Sequence, residues 1–120
     1  MEKNNPAECL SSLLPIGDAL EVISGKWKIQ IIIAVSSGNK RFREIERSIP
    51  KIPSKVLAKE LKDLEIHQLL KRTVFDTSPV LIEYSVTPYA KTLDKVIQSL
   101  HEWGVNHRQR ILGKQPAEGE

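Results

Sequence analysis

Lys55, Lys59 and Lys62 recur at i, i+4 and i+7 in SKVLAKELKDLEI, and this row carries the chemistry that is readable in the chain. At about 100° per residue the three fall within roughly 60° of one another on a helix, with Leu57, Leu61 and Leu64 on the opposite side. One face packs into a core and the other presents a line of ammonium groups. A helix of that shape fits the major groove of B-DNA, about 12 Å wide, with its N-terminal residues nearest the base edges. Arg41, Arg43 and Arg47 form a second basic cluster just before it, and Lys71 and Arg72 a third just after, ahead of the polar tip Asp76-Thr77-Ser78.

Other chemistries lack their residues. Gly25-Lys26 has no G-x-x-x-x-G-K-[ST] around it and reads as a helix boundary. His67, His101 and His107 lack the i, i+4 spacing of a helical metal pair, and the single cysteine, Cys9, makes neither an internal disulfide nor a multi-cysteine zinc site. No Ser/His/Asp or paired-carboxylate arrangement stands out, so no catalytic residue, enzyme activity, metal or cofactor is expected. Trp27, Tyr84 and Tyr89 read as core packing in preference to the lining of a ligand cavity.

The chain has 120 residues, 40% hydrophobic and 28% charged, the size and balance of one soluble globular domain. Net charge is +3, unevenly spread. Lys40–Arg72 holds ten basic and five acidic residues, net +5, which leaves −2 for the rest. That concentration favours a polyanionic partner. No apolar run approaches the roughly 20 residues of a membrane span, and the N-terminus lacks a signal-peptide core, so a cytoplasmic protein without a membrane partner is expected.

The elements that must position these residues follow from periodicity. Ile16, Ala19, Leu20 and Ile23 mark a first helix ended by Gly25. Lys26–Ser36 is ambiguous, because Ile31-Ile32-Ile33 favours a strand while Trp27, Ile31, Ala34 and Val35 keep helical spacing; helix is the better reading. Phe42–Ile49 is a short helix, and Pro50-Lys51-Ile52-Pro53 a rigid connector. Ser54 caps a helix to about Gln68. Lys71–Phe75 and Val80–Val86 form a hairpin, and Thr87 with Pro88 opens a final helix whose Leu93, Ile97, Leu100 and Trp103 repeat at near-heptad spacing. Residues 1–12 read as a loose arm, 113–120 as a disordered tail, and 13–112 as a single domain. The fold class is mainly α with a small β-hairpin wing, a winged helix-turn-helix with a flanking helix at each end.

The blocks ALEVISGKWK (19–28), KRFREIERSIP (40–50), IPSKVLAKELKDLE (52–65), LLKR (69–72), IEYSVTPYAKTL (82–93) and HEWG (101–104) together resemble the HxlR-type branch of the MarR-like winged-helix transcription regulators. The resemblance implies a homodimeric regulator of double-stranded DNA without enzymatic activity. It also implies that Lys26–Ser36 is a helix. Ser54, Lys55, Lys59 and Lys62 then lie on the recognition helix and Arg72 to Ser78 in the wing. The expected DNA-binding set is Arg41, Arg43, Ser54, Lys55, Lys59, Lys62, Arg72, Thr77 and Ser78. The first and last helices build the dimer, through Ile16, Leu20, Leu93, Ile97, Leu100 and Trp103. A small-molecule effector is a further partner left open. The alternative function is a winged-helix module that binds protein and not DNA.

Several members of this family switch through a cysteine followed by proline ahead of the first core helix. On that pattern Pro15 takes the proline position and Leu14 the cysteine position, so no thiol switch is expected. Cys9, beside Glu8 and with no Lys, Arg or His within four residues, reads as an ordinary free thiol in preference to a displaced sensor that pairs with its mate across a two-fold axis.

Overall fold

The structure, a computed structural model, describes residues 11–113 of the chain. Cys9, the arm before residue 11 and the tail after Gly113 lie outside the described residues. Helix α1 spans Leu13–Ile23 and starts ahead of its periodic apolar residues, because Pro15 sits in the first turn, where no intrahelical N–H bond is lost. Gly25, at φ +99°, turns the chain out of it.

The isoleucine run is helical. In α2 (Lys28–Ser36) Ile31, Ile32, Ala34 and Val35 are buried, and helical geometry is what brings these four positions to the core. The end of α2 is a Schellman motif, with Gly38 N–H on Val35 O at 3.0 Å and Asn39 N–H on Ala34 O at 3.2 Å. Gly38 supplies the left-handed residue, at φ +111°. Helix α3 (Phe42–Ser48) opens on the carboxylate of Glu44, whose Oε1 accepts the Lys40 and Arg41 N–H groups at 2.9 and 3.2 Å. These two bonds hold the Glu44 carboxyl below the ordinary glutamate range, with the Arg41 and Arg47 charges adding to the effect.

Helix α4 (Ser54–Ile66) follows a turn in which Lys51 takes φ +68° and Ile49 and Ile52 are buried. Two boundaries differ from expectation. Ser54 is the first helical residue and not the cap, because Pro53 is fixed at φ −68° with extended ψ and its carbonyl already accepts the Leu57 N–H. At the other end the helix stops at Ile66, because Gln68 adopts φ +66° in a second Schellman motif. Gln68 N–H bonds Glu65 O and Leu69 N–H bonds Leu64 O, both at 2.9 Å, and Leu64 and Leu69 are both buried beneath the turn.

Strands β1 (Leu70–Phe75) and β2 (Leu81–Val86) pair antiparallel from Leu70↔Val86 to Phe75↔Leu81. Thr87 closes the base of this hairpin, its hydroxyl donating to Gln68 O at 2.7 Å. The Tyr84 N–H donates to Lys40 O at 2.8 Å, which fastens β2 to the turn before α3. Ile31, Ile45, Leu57, Leu61, Leu64, Leu69 and Leu70 are almost completely inaccessible, so α2, α3, α4 and the hairpin share one apolar centre. Full burial of such a side chain contributes about 1.5–3 kcal/mol.

The described residues from Pro88 onward form a separate compact unit. The expected helix start is corrected here. Pro88 flanks a 3₁₀ helix, Tyr89–Leu93, and the α-helix proper, α5, runs Asp94–Leu112. The Thr87 hydroxyl, expected as the cap, is instead directed to Gln68. No residue of α1 or of α5 is buried.

Candidate nucleic-acid interface

Lys55, Lys59 and Lys62 stand exposed on α4, opposite the buried Leu57, Leu61 and Leu64. One of the acids that interrupt the row, Glu60, is drawn to the other side. Lys28 of α2, 13% exposed, meets Glu60 Oε1 at 2.5 Å and lies 3.8 Å from Asp63 Oδ2. Asp63 also meets Lys59 Nζ at 3.2 Å, yet that lysine keeps 73% of its surface open. An exposed i, i+4 pair is worth only a few tenths of a kcal/mol, so it holds Lys59 only weakly. Lys28 thus takes up Glu60, while Asp63 stays with Lys59 and Glu65 remains exposed on α4.

The N-terminal end of α4 is more constrained. The Ser54 hydroxyl donates to Glu46 Oε2, and Glu46 Oε1 accepts from Arg43 Nη1 at 3.3 Å. Glu46 therefore ties two expected DNA-binding residues together: the Ser54 hydroxyl spends its one proton there, while Arg43 keeps its other N–H donors open. Arg41 is exposed, with its backbone N–H on Glu44.

Arg72 stands at the base of the wing, directly across from Tyr84 in the strand register. Ala58, Lys62, Glu65, Arg72 and Tyr84 line a groove of about 290 Å³ between α4 and the hairpin. Beyond it the wing changes character. From Thr73 to Ala90 there is no Lys or Arg, while Asp76 and Glu83 are acidic. Thr77 and Ser78 are exposed at the tip, and the Thr77 hydroxyl is given to Pro79 O at 2.7 Å.

The aromatic residues expected in the core are dispersed. Tyr89 is exposed, and Tyr84 lines the groove. Trp27 is half-buried with the Lys26 ammonium 4.8 Å from its ring centre. Tyr84, Glu46 and Lys28 belong to the candidate interface, and sequence reasoning did not assign them to it. Counting outward from the loop at 76–80 pairs residue 72 with residue 84, so the hairpin alone held the signal for Tyr84. Glu46 and Lys28 act across elements and left no such signal.

Of the residues expected at a dimer interface, Ile16 and Leu20 are exposed on α1 in the first unit. Leu93, Ile97, Leu100 and Trp103 belong to the second, where Trp103 is 68% exposed and stacks on His107 with ring centres 4.8 Å apart. Among the described residues no group of three His, Cys, Asp or Glu side chains gathers as a metal site, and no helix is long and apolar enough to cross a membrane.

Residues 22–111 match the family model of the HxlR-like helix-turn-helix. The chain belongs to the HxlR-like helix-turn-helix family. HxlR-like relatives include the uncharacterized HTH-type transcriptional regulator YtcD of Bacillus subtilis, 37% identical over 94 residues, covering 78% of this chain and 75% of YtcD. A second, BH0655 of Halalkalibacterium halodurans, is 40% identical over 95 residues, covering 78% of this chain and 84% of its own. Among solved structures, the redox regulator HypR in its reduced form superposes with a TM-score of 0.75 at 33% identity, over 82% of this chain and 98% of that one. The HxlR-like chain is a transcriptional regulator of winged helix-turn-helix fold.

Proposed function

We propose that the protein is a homodimeric regulator that reads double-stranded DNA through α4 and the hairpin wing. The observation that carries this reading is the lysine face of α4, held outward by three buried leucines while Lys28 takes up Glu60. Lys55, nearest the helix N-terminus, contacts base edges. Lys59, Lys62, Arg41, Arg43 and Arg72 contact phosphates, with Ser54, Thr77 and Ser78 as neutral partners. Residues 13–112 act as one DNA-binding domain with its dimerisation helices, in the cytoplasm.

The apolar residues on α1 and on the C-terminal unit support pairing about a two-fold axis. A C2 dimer reads an inverted repeat, with half-sites roughly 10 base pairs apart or a multiple of that. Electrophoretic shift with random duplex DNA at low and moderate salt tests the reading. Binding at low salt that weakens as salt rises is expected, and Lys55→Ala or Lys59→Ala reduces it. An absence of binding at both salts returns the fold to a protein-binding role.

No thiol switch operates. Position 14 is an exposed leucine, 75% accessible, at the start of α1. Binding to a selected operator is expected to be the same before and after diamide, in the parent and in Cys9→Ser.

A further inference from the structure

The groove between α4 and the wing base contains two cations without a partner. Lys62 and Arg72 both line it, and among the described residues neither makes an ion pair. Tyr84 lines it too, cross-strand from Arg72, and its hydroxyl forms no hydrogen bond among the described residues. The backbone beneath is fixed twice, by the β1–β2 pairing and by the Tyr84 N–H on Lys40 O. Opposite-strand side chains on one face have Cβ atoms about 4.5–5.5 Å apart, which puts the Tyr84 ring within reach of the Arg72 side chain.

Beyond Arg72 the wing offers no cation, and its Asp76 and Glu83 repel a polyanion. The groove is therefore where the positive charge on the wing ends. We propose that it seats a single backbone phosphate of the DNA, shared by Lys62 and Arg72, with the Tyr84 hydroxyl as a third donor. Glu65, the remaining charged residue of the groove, opposes the phosphate and limits its affinity. Tyr84 acts both as a direct donor and as a positioning residue for Arg72. The inference rests on the reading of α4 as the DNA-binding helix.

Because both cations neutralise one phosphate, the salt dependence separates this arrangement from two independent contacts. Either Lys62→Ala or Arg72→Ala leaves the other cation in place and changes the slope of log affinity against log salt little. The double variant lowers it by about 0.9, the value for one phosphate. Tyr84→Phe keeps the packing and the slope and weakens binding about tenfold, the effect of one hydrogen bond to a charged group. Glu65→Gln strengthens binding.

The deciding experiment uses the full chain and a duplex it selects from a randomised pool, with methylphosphonate replacing one phosphate at a time. One position per half-site is expected to weaken binding of the parent and to have little further effect in the Lys62→Ala/Arg72→Ala variant, and a reduced effect in Tyr84→Phe. If Lys62→Ala and Arg72→Ala erase sensitivity at different phosphates, or at none while Lys55→Ala still weakens binding, the shared seat is overturned and the DNA-binding reading stands. If the parent selects no duplex at all, both fall.

Discussion

Gln68 and Gly38 occupy the same position in two copies of one helix-ending motif, at φ +66° and +111°. Glycine takes that conformation without a steric penalty, whereas a residue with a Cβ costs roughly 1–2 kcal/mol there. Gln68→Gly is accordingly expected to stabilise the protein by about 0.5–1 kcal/mol, after the greater freedom that glycine gives the unfolded chain, measured as a rise in the urea midpoint at unchanged m. Glu44 sets a pH dependence. Its folded-state pKa is depressed, chiefly by the Lys40 and Arg41 N–H groups. The stabilisation is present above the unfolded glutamate value, near about 4.3, and is lost as pH falls from there through the lower folded value. Thermal melts at descending pH check this: the parent should lose more stability across that window than Glu44→Gln.

At the scale of the element, α4 divides its two tasks between its faces. Leu61 is 1% exposed, so Leu61→Ala is expected to cost about 2–5 kcal/mol of stability. Lys59→Ala leaves stability nearly unchanged, because its pair with Asp63 is exposed, and lowers DNA affinity instead. Urea titration beside a binding isotherm separates the two. That division was legible in the sequence, because leucines and lysines alternate at helical spacing and nothing else in the segment competes. The ends of the element were not. Ser54 carries every preference of a cap, yet the neighbouring Pro53 had already fixed the geometry that a cap requires. Gln68 carries no sign of a left-handed residue, and the burial of Leu64 and Leu69 beneath it imposes one. The Ile31-Ile32-Ile33 run shows the same limit, since β-branched propensity points to a strand and burial on one side of α2 decides for a helix. Groove residues such as Tyr84 depend on two elements meeting, which periodicity along one segment cannot express.

For the whole molecule the notable quantity is uncovered apolar surface. Leu13, Leu14, Ile16 and Leu20 on α1, and Val96, Leu100, Trp103, Ile111 and Leu112 on α5, are all exposed in the single chain. A soluble monomer rarely leaves contiguous apolar patches of that kind open. Leu20→Asp and Leu100→Asp are each expected to shift the protein toward monomer, read by sedimentation velocity at micromolar concentration, with the unfolding midpoint of the parent rising with protein concentration.

If α1 is covered by a second copy, as proposed, a consequence follows for how the regulator reports on the cell. Below the dissociation constant of the pair, the amount of DNA-competent protein rises with the square of the number of chains. Halving that number therefore removes about three quarters of the active species and not half. In such a dimer the bare helix would turn the abundance of the protein into an input, and a modest change in its synthesis or turnover would be delivered to the operator as a steeper one.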